Sequence, residues 1–254
     1  MSESWRESLT ELAAQLASEQ AGTPELITWA VQTLGQGADT PALRRLAGLY
    51  DRDPMSEARP WFESALNELK IVLPERDLLF SDFVAVLAQR VLAGSLAPIE
   101  GLGRISALSY ARRAWDPLLT PLCDLQAAAE LQADGLGSYA WLYPEFDQMP
   151  LPELIAAECQ LFLDLRAAHP PPDLLRTSWC LSCRRRSLPH SRKIPESWLQ
   201  RLWRNLTANP PVFESLCPHC GSHDLLPLSS LAGRRRYLAE QSLSAIKAAH
   251  SNDA

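Results

Sequence analysis

Residues 177–230 read TSWCLSCRRRSLPHSRKIPESWLQRLWRNLTANPPVFESLCPHCGSHDLLPLSS. This stretch holds two Cys-x-x-Cys pairs, Cys180 with Cys183 and Cys217 with Cys220. Each pair can close a tight knuckle whose two sulfurs point at one metal ion. Two knuckles then supply four thiolates in a tetrahedron, which suits zinc: it is soft enough for sulfur and makes no ligand-field demand. Cys217-Pro218-His219-Cys220-Gly221 is the stronger half-site, because its proline sets the turn and its glycine lets the backbone close beneath the ion. Cys180-Leu181-Ser182-Cys183 lacks such a glycine.

The 33 residues between the pairs exceed the roughly 15 to 20 of the simplest paired sites. An inserted helix accounts for the excess. Pro195-Glu196 is its start signal, Trp198, Leu199, Leu202, Trp203 and Leu206 form one face, and Pro210-Pro211 is its stop. Together these motifs resemble a four-cysteine zinc ribbon, or a treble-clef relative with a helix between its knuckles, over about residues 176–228. The resemblance implies one structural Zn2+ held by Cys180, Cys183, Cys217 and Cys220. It does not choose among nucleic-acid binding, protein docking and plain structural support. His219, His190 and His223 are weaker substitutes for one sulfur; His219 lies inside its knuckle, where its ring should point outward. A redox dithiol is the main rival for a single Cys-x-x-Cys, and two pairs in one short segment disfavour it.

Charge divides the chain. Residues 1–170 hold 12 Lys+Arg and 24 Asp+Glu, whereas residues 171–254 hold 12 Lys+Arg and 6 Asp+Glu. The run His169-Pro170-Pro171-Pro172-Asp173 cannot continue a helix and favours a stiff spacer. The expected organisation is an acidic all-α bundle over 1–169, a basic four-cysteine module over 173–228, and a C-terminal helix with tail over 229–254. Arg184, Arg185, Arg186, Lys193, Arg201 and Arg204 are the candidate contacts to nucleic acid or to an acidic partner. Arg192 and the run Arg234-Arg235-Arg236 add to the same excess. The bland reading has these bases offsetting the negative charge of a four-thiolate site, facing solvent, or contacting the chain's own acids.

The N-terminal segment reads as helical. Trp5, Leu9, Leu12 and Leu16 share one helix face. Thr23-Pro24-Glu25 and Thr40-Pro41 are helix starts, with a capping hydroxyl followed by proline. Further helices are expected around Trp61–Leu69, over 75–93 with Gly94 as stop, after Pro98, over about 118–132, and from Pro152 through Leu165. Period-two alternation is nearly absent, so the fold class is mainly α: an irregular bundle of seven or eight helices, then a small module with short strands and the inserted helix. The aromatic stretch 135–152, with Tyr139, Trp141, Tyr143 and Phe146, is expected to pack as an ordered loop. Ser229-Ser230 should cap a final helix over about 230–249.

Composition excludes several classes. At 46% hydrophobic and 21% charged residues the chain is not of the disordered type. No apolar run approaches the roughly 18 to 20 residues that cross a bilayer. The first twenty residues carry four glutamates and one arginine, unlike a cationic secretory leader, so a cytoplasmic location is expected. Glycine-rich phosphate loops, His-Glu-x-x-His and Gly-x-Ser-x-Gly are missing. Acid pairs such as Asp51/Asp53 and Glu63/Glu68 read as helix starts and solvated faces. Cys123 and Cys159 read as small buried hydrophobes. The expectation is a non-enzymatic, zinc-binding adaptor that docks protein partners. Nucleic-acid binding through the basic module is the alternative, and an enzyme with a site between the two parts the second alternative.

Overall fold

The fold is described from a computed structural model covering residues 5–18, 20–110, 117–135, 143–194 and 213–251. Among these the chain is mainly α-helical, with nine α-helices and five short strands. It divides into two compact units, 1–126 and 127–254.

In the first unit, α1 (Trp5–Ala17), α2 (Thr23–Gly35), α3 (Pro41–Ala47), α4 (Met55–Glu68), α5 (Arg76–Leu92) and α6 (Pro98–Tyr110) follow one another. The seventh helix, α7 (Thr120–Ala133), crosses into the second unit. The Thr40 hydroxyl accepts the Leu43 N–H at 3.3 Å and caps α3. At α2 the expected hydroxyl cap is replaced. Thr23 is buried as the first helical residue, and the Glu25 carboxylate reaches back to accept the Gly22 N–H at 2.7 Å. Leu26, Leu43, Leu46, Ala58, Phe62 and Ala65 fill the core between α2, α3 and α4. Trp29 meets Phe62 edge to face, with ring centroids 5.2 Å apart. Glu11 on α1 pairs with Arg90 on α5 and Arg104 on α6, which ties three helices at one half-buried point.

The second unit contains α8 (Leu151–Ala168), five strands and a last helix, α9 (Leu231–Ser251). The strands are β1 (Ser178–Cys180), β2 (Arg186–Ser187), β3 (His190–Lys193), β4 (Phe213–Leu216) and β5 (Leu225–Pro227). They form two antiparallel sheets, ordered β2-β1-β5 and β3-β4. The predicted serine cap is present: the Ser230 hydroxyl accepts the Gly233 N–H at 3.1 Å and donates to the Pro227 carbonyl at 2.7 Å. Gly233 lies so close to β5 that a Cβ there would collide with the Pro227 carbonyl oxygen. The missing side chain lets α9 seat directly on the sheet.

The units divide at 126/127, inside α7, whereas the composition shift lies at 169–173. Prolines 170–172 do end α8, whose C-cap His169 takes a left-handed backbone at φ 46°. What joins α8 to the module is a buried charge cluster. Arg234 and Glu158 are 2% and 1% exposed, and form a bidentate pair at 2.5 and 2.7 Å. The Tyr143 hydroxyl donates to the same carboxylate, and the Arg234 Nε–H reaches the Ser230 carbonyl at 3.2 Å. Burial, then the Glu158 charge, push the Tyr143 hydroxyl far above its ordinary pKa, so it remains a donor. Of the readings open for the basic run, Arg234 takes contact with the chain's own acids and is internal. Tyr143 and Phe146 are buried as expected of packed aromatics, while Tyr139 and Trp141 lie outside the described residues. No described helix is long and apolar enough to cross a membrane.

Glu158→Ala leaves the guanidinium buried without its counter-charge and is expected to cost about 3–5 kcal/mol, read from chemical denaturation. The triple substitution Tyr143→Phe, Glu158→Leu and Arg234→Met removes every polar member of the cluster and should recover most of that loss.

Candidate metal centre

Each knuckle grows from the end of a strand. Cys180 closes β1, and Cys217 directly follows β4. In the first knuckle the Arg184 N–H donates to the Cys180 carbonyl at 2.9 Å; in the second the Gly221 N–H donates to the Cys217 carbonyl at 2.9 Å. The Cys180 N–H is held by the Arg185 carbonyl at 3.0 Å, and the Cys217 N–H by the Ser222 carbonyl at 2.9 Å. The two turns share one geometry despite their different sequences. Both need a left-handed residue after the second cysteine. Gly221 takes it at φ 70°, and Arg184 takes it at φ 57°. The weaker-looking half-site thus adopts the same turn at a backbone cost that glycine avoids.

The turns bring four sulfurs together. All four ligand atoms of Cys180, Cys183, Cys217 and Cys220 lie within 4.8 Å of one another. Across the knuckles, Cys180 and Cys220 sulfurs are 3.5 Å apart, and those of Cys183 and Cys217 are 3.6 Å apart. A tetrahedron with metal–sulfur bonds of about 2.3 Å has edges of about 3.8 Å, so the cluster is positioned to bind a metal ion. A hydrogen bond between Ser182 and Ser222 at 2.9 Å ties the knuckles from outside. Cys180 and Cys217 are buried, Cys183 is half-buried and Cys220 is exposed.

The thiols differ in acidity. At Cys217 burial pushes the thiol up, but the backbone N–H groups of His219 and Cys220, with the Cys183 and Cys180 thiols, outweigh it and bring it to about 6. At Cys180 the Cys183 N–H lowers the pKa, and burial opposes it. Cys183 is pushed to about 12 by burial and by hydrogen bonding to Cys180. At Cys220 the Ser222 N–H pulls the thiol down, but burial and Cys180 together raise it. The first cysteine of each knuckle is thus shifted toward the thiolate and the second away from it. A divalent cation displaces the remaining protons, so binding must release protons and weaken in acid.

His219, His190 and His223 are exposed, and none belongs to the cluster. Arg184, Arg185 and Lys193 are exposed and Arg186 is half-buried. Arg192 pairs with Glu214 at 2.8 Å, and Arg236 pairs with Glu240 and lies over the Trp179 ring at 5.8 Å. Arg201, Arg204, Trp198, Trp203 and the expected helix around them lie outside the described residues. Cys123 and Cys159 are buried in α7 and α8 and are not in the cluster. Burial, with Glu158 beside it, pushes Cys159 to about 12, which makes it a poor nucleophile. Comparison with known protein-family models, curated proteins and solved structures finds no match to this chain.

Cys217→Ser is expected to abolish stoichiometric metal in elemental analysis and to open residues 177–230 to limited proteolysis, while helical circular dichroism changes little. Arg184→Gly should retain the metal and raise the stability of the metal-loaded module by about 0.5–1 kcal/mol, because glycine takes the left-handed turn without strain. Thermal unfolding of the loaded protein measures it.

Proposed function

We propose that this chain is a non-enzymatic adaptor: one structural zinc fixes the shape of its C-terminal module, and the surface so formed docks protein partners. The four-sulfur cluster carries the reading. Cys180, Cys183, Cys217 and Cys220 each offer one ligand atom, which fills a tetrahedral zinc and leaves no position for water or substrate. An all-thiolate donor set favours zinc over hard cations such as magnesium or calcium. The module is read as a variant zinc ribbon, since each knuckle follows a short strand and those strands belong to antiparallel pairs.

The charge distribution supports a protein partner over a polyanion. The module's compact unit, 127–254, holds 13 Lys+Arg and 13 Asp+Glu. Its bases are partly spent internally: Arg234 is buried on Glu158, Arg192 sits on Glu214 and Arg236 on Glu240. A nucleic-acid footprint needs an unspent positive stripe. Arg184, Arg185 and Lys193, exposed near the first knuckle and on β3, favour nucleic acid as the second reading.

The test is chemical crosslinking in the source cells, purification of the full chain with its partner, and reconstitution from pure components. The expected complex survives nuclease, tolerates moderate salt and is lost with Cys217→Ser. A complex that nuclease dissolves, together with a mobility shift on RNA or DNA that falls steeply with salt, would overturn the docking reading.

A further inference from the structure

In the second unit an open groove of about 930 Å³ runs between the 144–149 turn, β5 and the first turn of α9. Its floor is apolar, built from Met149, Leu226, Pro227, Leu231 and Ala232. Two polar features interrupt that floor. Glu145 uses one carboxylate oxygen to accept the Leu231 N–H at 2.9 Å, while its other oxygen is buried with no hydrogen-bond partner. Being buried, that oxygen is closed to a ligand in the groove, so recognition of charge falls to the rim. At the rim, Arg235 is exposed and makes no ion pair among the described residues, in contrast to its neighbours Arg234 and Arg236.

We propose that this groove receives an extended segment of a partner protein carrying a large apolar side chain beside a carboxylate. The apolar side chain covers the Met149–Leu226–Leu231 floor. The carboxylate meets Arg235. A basic segment fits poorly, because Arg235 and Arg236 both face the groove and Glu145 is already half-committed to the α9 backbone. This rests on the docking reading and adds to it the chemistry of the partner and the place where it binds.

The test uses full-length, zinc-loaded protein and two sets of synthetic octapeptides. One set combines Leu or Phe with Asp or Glu, and the matched set replaces each acid by Lys or Arg. Binding is read by fluorescence polarisation. The acidic set should bind, and the basic set should bind about fivefold more weakly or worse. Arg235→Glu should reverse the preference. Ala232→Trp, at an exposed position on the floor, should weaken binding about tenfold or more with metal content unchanged. Absence of binding by both sets, or binding that neither substitution alters, overturns the assignment. A zinc-dependent protein complex that persists unchanged in the Ala232→Trp chain also overturns the groove, while leaving the docking reading intact.

Discussion

The convergence of four sulfurs is the constraint on which the second unit depends. Cys183 and Cys217 are 34 residues apart in sequence, and Cys180 and Cys220 are 40 apart. The strands that carry them are two to four residues long, too short to be stable as isolated hairpins. Two sheets of this size enclose little apolar surface of their own. A metal ion bound by both knuckles would add coordinate bonds to that small core, and its binding free energy would become folding free energy. The matching turns at Arg184 and Gly221 show that backbone geometry, more than residue identity, prepares the site.

A second interaction decides what the module is joined to. The Glu158–Arg234 pair, with Tyr143 on the same carboxylate, brings together the acidic segment before the triple proline and the basic segment after it. The charge asymmetry that separates the two in sequence thus becomes a contact inside one unit. Leaving water is costly for both ions, and the fork geometry of the guanidinium offsets that cost only because every partner is in place. Such a contact specifies one seating of α9 on α8, since sliding the helix would strand a buried charge.

Much of this was legible in the residues. The helix starts at Thr40 and Ser230, the stop at Gly94, the helical character of the described residues up to 168 and the four clustered cysteines all follow from local chemistry. Local rules failed where a distant partner decided the outcome. At α2 the miss was local: the helix starts one residue earlier than read, so the Gly22 N–H is met by Glu25 three residues on. Arg234 sits in a run of three arginines, and nothing in that run says that one of them turns inward to Glu158, 76 residues away. Arg184 in a left-handed turn was hidden for the opposite reason: glycine advertises such a turn and arginine does not. The signal that could have found it was symmetry with the second knuckle, position for position.

The β3–β4 ladder pairs Lys193 with Phe213, so the chain departs and re-enters at adjacent points. The entropy of closing a chain between two such points grows only slowly with the length between them, by about 0.6 kcal/mol per doubling. The cost of bringing β3 and β4 together therefore depends little on how many residues separate Lys193 from Phe213, and the pairing of those two strands sets the approach of the second knuckle whatever that number is.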